Sequence, residues 1–374
     1  MRRIILMLGL AWSLSFPAAA HQCVLEGSTS EAIQSYNACK LDLATGQSGH
    51  GGDDQSEELA RLKAENERLK ARLADVRLRL LGLLGDLEMT AASIGFIGLG
   101  KMGAVMAPHL AAGGHHVTGY DISPPAVMPA GVELAADLAA LAGCDTIITM
   151  LPDGDVVSAV IGALLAAGCD AMVIDMSSSH PDISRAMAAD LAARGQMFVD
   201  APVSGGVGRA ESGELMIMAG GSDEAFTAAQ PLLALMGTPT LLGPAGCGHA
   251  MKALNNYVSA AGLIASFEAL ATARDLGIAP DRFLEVINRS TGRNNTTEAK
   301  IARYVVSDAY DSGFDLKLMA KDVAIAASLA ETGGFDGPVT DAVRQFLQDG
   351  LESLGDAADH TELYLGITKG RRGS

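Results

Sequence analysis

Lys252 and Asn256 stand four residues apart in "GCGHAMKALNNYVSAAGLIASFEALATARDLG", a stretch whose other positions are mostly small and apolar. That spacing puts two side chains on one face of a helix, and a helix of this composition would bury the face. Burial favours the neutral amine and lowers its pKa, which suits a group that must give and take a proton. Asn256 can hold a hydroxyl beside that amine. Gly246 and Gly248 complete a G-x-G-x-x-x-K-x-x-x-N pattern. A lysine snorkelling to the surface is the bland alternative, and the company of the glycines and the asparagine argues against it.

A second stretch, "DAPVSGGVGRAESGELMIMAGG" from Asp200, sets Ser204, Gly205 and Gly206 directly after a strand-like run. A hydroxyl with close backbone N–H groups suits a carboxylate. Arg209 adds a cation near this loop, fit for a doubly anionic substrate or else a plain surface residue. A third stretch, "GFIGLGKMGAVMAPHL", carries Gly98, Gly100 and Gly103 as G-x-G-x-x-G. The motif alone is weak, but here a short alternating run precedes it and Met102, Val105, Met106, His109 and Leu110 follow at helical spacing. Gly98 permits the tight turn, Gly100 close approach of a pyrophosphate, and Gly103 close packing of helix on strand. Gly98, Leu99, Gly100, Lys101, Met102 and Gly103 are therefore cofactor-binding candidates. Asp121 ends the next strand-like run, "HHVTGYD", where a carboxylate can accept from ribose hydroxyls and would repel a 2′-phosphate. No arginine follows it in "DISPP", so NAD is expected in preference to NADP.

These groups need a scaffold that brings strand ends together. Runs at 145–151, 171–176, 197–203, 215–220 and 240–242 read as strands, the earlier ones separated by Ala-rich helical stretches. The alternation predicts an α/β fold with a mostly parallel, doubly wound sheet. Loops at the carboxyl ends of its strands line the crevice, which makes Leu151, Pro152, Ser177 and Ser178 further candidates for cofactor contact.

Composition narrows the partners. The 374 residues carry a formal net charge of −17 and only 4% aromatic side chains, the opposite of a surface built for nucleic acid. Cys144, Cys169 and Cys247 are far apart and without C-x-x-C spacing, so no metal site is expected. No run in the body is fit to span a membrane.

The chain before the glycine turn reads differently. Residues 1–20, "MRRIILMLGLAWSLSFPAAA", have the basic start, short apolar run and small-residue end of a secretory signal. Residues 21–55 form a polar, Gly-rich linker region; Cys23 and Cys39 within it could pair if it is exported. In 56–88, Leu59, Leu62, Asn66, Leu69, Leu73, Val76, Leu80, Leu83 and Leu87 step by three and four. Such a seam favours a parallel coiled coil over one amphipathic helix packed on the body. Met89 then opens what reads as a complete enzyme, cytoplasmic by itself and periplasmic or secreted if the signal-like segment is used.

Taken together, the glycine turn, "DAPVSGG", the G-x-G-x-x-x-K-x-x-x-N helix and "FDLKLMAKDVAIA" (314–326) resemble the β-hydroxyacid dehydrogenases, with the 3-hydroxyisobutyrate dehydrogenases as the best-known branch. The resemblance covers about residues 92–366. It implies an N-terminal Rossmann doubly wound domain (92–245) and an all-α C-terminal domain (246–370) for substrate and dimerisation, preceded here by the coiled-coil helix. It further implies that Lys252 is the catalytic acid/base, that Asn256, Ser204, Gly205 and Gly206 bind substrate, and that Lys321 closes over cofactor and substrate. The implied reaction is reversible hydride transfer between the nicotinamide and a short 3-hydroxy acid or its semialdehyde, in a homo-oligomer. "STGRNNTTE" (290–298) is more polar than a methyl-bearing substrate requires, so Asn294, Asn295 and Thr296 are expected to meet extra hydroxyls, as in tartronate semialdehyde or a sugar acid. An imine-reducing relative would lack Lys252. A non-catalytic cofactor sensor or scaffold would have no reason to carry Lys252, Asn256 and the Ser-Gly-Gly loop together.

Overall fold

The computed structural model describes residues 91–369, together with Arg61, Glu65 and Arg68, which are helical and exposed. The signal-like segment, the linker region and the coiled-coil seam otherwise lie outside the described residues.

Short runs rich in Ile, Val and Met form a sheet because they are apolar on both faces, as strands covered by helices on each side must be. Strands β1 (Ser93–Ile97), β2 (His116–Tyr120), β3 (Val132–Leu134), β4 (Thr146–Thr149), β5 (Met172–Asp175) and β6 (Phe198–Asp200) run parallel in the spatial order β3-β2-β1-β4-β5-β6. This is the doubly wound order that binds dinucleotides where the winding reverses, between β1 and β4. Alternate strand residues serve opposite layers. Ile94, Phe96, Ile148 and Ile174 pack with helices α1 (Gly103–Ala112) and α5 (Asp223–Met236). Ile97, Ile147 and Val173 pack with α2 (Gly154–Ala166) and α3 (Pro181–Ala193).

The sheet then changes direction. Strand β8 (Leu215–Gly221) runs antiparallel to β6 and to the short β7 (Val203–Ser204), which continue one another along one of its edges. On its other edge β9 (Gly237–Gly243) is parallel to it. Between β7 and β8 lies the short helix α4 (Gly206–Glu211).

Helix α6 (Cys247–Asp275) follows β9 and at 29 residues is roughly 43 Å long. Its first turns pack on β6, β8 and α3, and its remainder on the helical half of the protein. That half comprises α7 (Pro280–Ile287), a π-helical segment (Thr296–Val306), α8 (Leu316–Thr332), α9 (Pro338–Leu354) and α10 (Leu363–Lys369). Their core gathers Leu263, Phe267 and Leu270 of α6 with Ile301, Met319, Val323, Leu347 and Tyr364. One helix thus belongs to both halves, and residues near its start lie where the halves meet. The elements not foreseen from sequence include the three-residue β3, the short helix α4 and the π-helical form of 296–306.

Candidate active site

The glycine turn follows β1 directly, and each glycine answers a different steric demand. Gly98 has φ +99°, and a Cβ there would stand 2.2 Å from the Met150 carbonyl oxygen. A Cβ at Gly103 would stand 1.8 Å from the Gly98 carbonyl oxygen, so α1 can pack on the turn only without one. Nothing lies within 4 Å of the equivalent position at Gly100, which leaves the backbone open on that side. A pyrophosphate needs that opening, so the residues present fit a dinucleotide.

Around the turn the other candidates divide. Leu99 buries its side chain in the core, and its N–H donates to Asp121 Oδ2 at 2.6 Å. Asp121 Oδ1 accepts from the Ser123 N–H at 2.8 Å, so this carboxylate ties the end of β2 to the glycine turn. A carboxylate offers about four lone-pair directions, and the other two remain for ribose hydroxyls. Met102 stands just before α1, makes no side-chain cap, and packs against the core. Lys101 is exposed and reaches Asp315 Oδ1, just before α8, at 3.9 Å.

At the ends of β4 and β5 the backbone does most of the work. The Leu151 N–H donates to Ser177 Oγ at 2.9 Å, which engages that buried hydroxyl. Lys321 Nζ, from α8, donates to the carbonyls of Pro152 (2.9 Å) and Ser178 (2.5 Å). Ser178 Oγ donates to Asp322 Oδ1 at 2.6 Å. Lys321 and Asp322 therefore clasp the strand ends of the sheet domain from the helical half.

Asp322 is one residue that sequence reasoning missed. Its carboxylate is buried, and Oδ2 accepts from Asn256 Nδ2 at 2.5 Å. Asn256 is itself buried, and its Oδ1 accepts from Asn255 Nδ2 at 3.1 Å. Lys252, one turn earlier on α6, is half-buried, and no hydrogen bond to its Nζ is found among the described residues. Burial pulls its ammonium pKa down; Asp322 pushes back, and Lys321 lowers it further. Burial likewise lowers the pKa of Lys321, against the pull of Asp322, Asp153 and Asp175. The available signal was an adjacent Lys-Asp pair in an otherwise apolar helical run, "LMAKDVAIA".

Below Lys252 lies a second network absent from the sequence reading. Asp200, fully buried at the end of β6, accepts from the N–H groups of Gly246 (2.7 Å) and His249 (2.9 Å), which fixes the start of α6. Burial raises its pKa, while His249 and the two N–H groups pull it back. The His249 ring bridges Ser184 Oγ (2.7 Å) and the Ser177 carbonyl (3.1 Å). A Cβ at Gly248 would fall 2.3 Å from the Met218 carbonyl oxygen, so the glycine in this motif serves the docking of α6 on β8.

Ser204 pairs with Met216 across β7 and β8 and is half-buried. Gly205 (φ +142°) and Gly206 (φ +69°) follow it, exposed, into α4. The polar stretch 290–298 is engaged elsewhere. Asn294 Oδ1 accepts from the N–H groups of Thr296 (2.8 Å) and Thr297 (3.2 Å), its Nδ2 donates to Ser266 Oγ, and Thr296 is buried. Asn294 and Thr296 thus serve the start of the π-helical segment, while Asn295 between them is exposed.

A doubly wound sheet with an open glycine turn, joined to a helical half whose Lys321 and Asp322 clasp the strand ends, defines a two-domain nicotinamide-dependent oxidoreductase. The NAD binding domain of 6-phosphogluconate dehydrogenase matches residues 93–248, and the NAD-binding domain of NADP-dependent 3-hydroxyisobutyrate dehydrogenase matches 246–366. A 2-(hydroxymethyl)glutarate dehydrogenase from Eubacterium barkeri is 34% identical over 266 residues, 69% of this chain and 88% of the relative. The mitochondrial 3-hydroxyisobutyrate dehydrogenase of Drosophila melanogaster is 36% identical over 262 residues, 67% of this chain and 81% of the relative. Among solved structures, the 3-hydroxyisobutyrate dehydrogenase of Mycobacterium tuberculosis with L-serine superposes with TM-score 0.67 at 31% identity, covering 74% of this chain and 99% of that one. The chain belongs to the β-hydroxyacid dehydrogenase family.

Proposed function

We propose that this protein catalyses reversible NAD-linked oxidation of a 3-hydroxypropanoate substituted at carbon 2, with Lys252 as acid/base. The observation that carries the reading is the Lys252 amine: half-buried, lowered in pKa by burial, and one helical turn from a buried Asn256 that Asp322 orients. In the oxidation direction the substrate hydroxyl gives its proton to Lys252 Nζ while Asn256 holds the hydroxyl oxygen. NAD, held by the Gly98–Gly103 turn and Asp121, would supply the acceptor for the hydride that leaves the carbinol carbon. The product is the semialdehyde, and in reduction Lys252 returns the proton. Ser204 and the N–H groups of Gly205 and Gly206 take the substrate carboxylate. Lys321, anchored on the Pro152 and Ser178 carbonyls, holds the helical half against the cofactor crevice and keeps water out.

Support for the substrate class comes from the relatives' names, since 3-hydroxyisobutyrate and 2-(hydroxymethyl)glutarate share a hydroxymethyl group on the carbon next to a carboxylate. Preference for NAD rests on Asp121, whose charge opposes a 2′-phosphate. Cytoplasm, where the cofactor is plentiful, is the location that suits this activity. A homo-oligomer is its working form, with the seam in 56–88 as an added means of pairing chains.

The test is a set of initial rates over 2-substituted 3-hydroxypropanoates with NAD and with NADP, beside Lys252→Ala. NAD-linked turnover falling by about 10³-fold or more in the variant, with NAD binding retained, supports the assignment. Equal rates in both proteins would remove Lys252 from the mechanism.

A further inference from the structure

Arg209 is set apart from every other arginine between residues 91 and 369. Each of the others faces a carboxylate or a tyrosine ring. Arg209 is exposed, and its guanidinium has no such partner among the described residues, in a chain where 44 acidic residues outnumber 27 basic ones. Among the described residues, the acidic side chains nearest in sequence make no ion pair with it. Glu211 lies two positions on, across α4, and Glu214 accepts from Ser212 Oγ at 3.1 Å.

Its position is defined by its stem. A Cβ at Gly205 would stand 2.8 Å from both Arg209 Cβ and Cδ and 3.3 Å from Cγ, so the aliphatic part of Arg209 lies over Gly205. Helical side chains lean toward the N-terminus of their helix, which carries the guanidinium from α4 toward the Ser204–Gly206 loop. A cation whose stem lies over that loop is placed on the side where the proposed function seats a substrate carboxylate. A guanidinium matches a carboxylate in two parallel hydrogen bonds, and one without a protein partner is free to make both.

We propose that Arg209 determines specificity by pairing with a second carboxylate on the substrate, which makes the substrate class a 3-hydroxy dicarboxylate with an acidic arm at carbon 2. The proposal rests on the function given above, with the first carboxylate at Ser204, Gly205 and Gly206. Arg209 stands apart from the carbon that loses hydride, so it acts in binding, and the arm's charge is felt in KM more than in kcat.

The experiment compares three acids that differ only in the arm at carbon 2: methyl, propyl and carboxyethyl. Each is oxidised with saturating NAD by the full-length protein, by Arg209→Gln and by Arg209→Lys. The propyl arm matches the carboxyethyl arm in reach but carries no charge. The expected result is a kcat/KM ratio of carboxyethyl over propyl of about 30 or more in the unaltered protein, set by KM and reduced by added salt. In Arg209→Gln the ratio falls to within about threefold of unity, and Arg209→Lys retains an intermediate preference. A ratio near unity in the unaltered protein, or one that survives in Arg209→Gln, overturns the role of Arg209 and leaves the dehydrogenase reading standing. A loss in Arg209→Gln of equal size on all three acids also overturns it, since charge recognition acts on one acid only. Absence of turnover with every acid overturns both.

Discussion

Asp322→Asn changes one atom at the centre of the clasp. The aspartate accepts from Asn256 Nδ2 on one oxygen and from Ser178 Oγ on the other. With asparagine, Ser178 can still donate to the remaining oxygen, but an NH2 group then faces the Asn256 NH2. Flipping Asn256 brings its oxygen round, yet breaks its contact with Asn255 Nδ2. Lys321 also loses the carboxylate 3.9 Å from its ammonium. Loss of one hydrogen bond to a buried charge costs about 1.5–3 kcal/mol. If Asn256 holds the substrate hydroxyl, that cost appears in transition-state binding as a fall in kcat/KM of roughly tenfold to 150-fold. Global stability falls by less, because neutral asparagine is cheaper to bury than a carboxylate. The assay is kcat/KM for oxidation across pH at saturating NAD, with urea unfolding of the same samples. Removing Asp322 also removes the charge that holds the Lys252 pKa up, so the rising limb of the pH profile should move to lower pH. A variant within threefold of the parent, with an unmoved limb, would refute the coupling of Asp322 to Lys252 and Asn256.

Other outcomes follow from the same geometry. With Lys252 as the proposed base, oxidation needs its neutral amine, so kcat/KM should rise with pH through the lowered pKa while reduction falls over the same interval; parallel profiles in both directions would contradict the acid/base role. Gly103→Ala drives a Cβ into the Gly98 carbonyl and should cost about 1–3 kcal/mol of stability, whereas Gly100→Ala meets nothing within 4 Å and should melt like the parent. Both should weaken NAD binding in calorimetric titration, and undiminished affinity in Gly100→Ala would remove that face from the cofactor site. Burial, aided by the charge of Lys300, pushes the His360 pKa down to about 4. The unfolded chain then binds more protons between pH 6.5 and 4, so stability present above pH 6.5 is lost as pH falls, by about 2–3 kcal/mol. His360→Gln should flatten that slope in urea titrations, and an unchanged slope would locate the effect elsewhere.

The layers of the fold were legible in sequence because parallel strands covered on both faces must be short apolar runs, and the helices between them repeat every three to four residues. The glycine turn was legible for a stronger reason: at Gly98 any side chain collides with the Met150 carbonyl of the neighbouring strand end, and at Gly103 with the Gly98 carbonyl of the turn itself. Lys252 and Asn256 could be paired from spacing alone, since both lie on one helix. Their surroundings could not. Asp322 lies 66 residues beyond Asn256 and 144 beyond Ser178, and no local pattern encodes a contact made by folding one domain against another. The same holds for Asp200, which anchors the start of α6 from 46 and 49 residues away. Polarity at 290–298 did not say what each side chain is turned toward: Asn294 faces the backbone of the π-helical segment and Ser266, whereas Asn295 is exposed. Sequence by itself determined which residue types the chain keeps for chemistry and the elements that bear them. Tertiary structure decided which of those residues meet, because desolvation and hydrogen bonding depend on distances that only the packed chain sets.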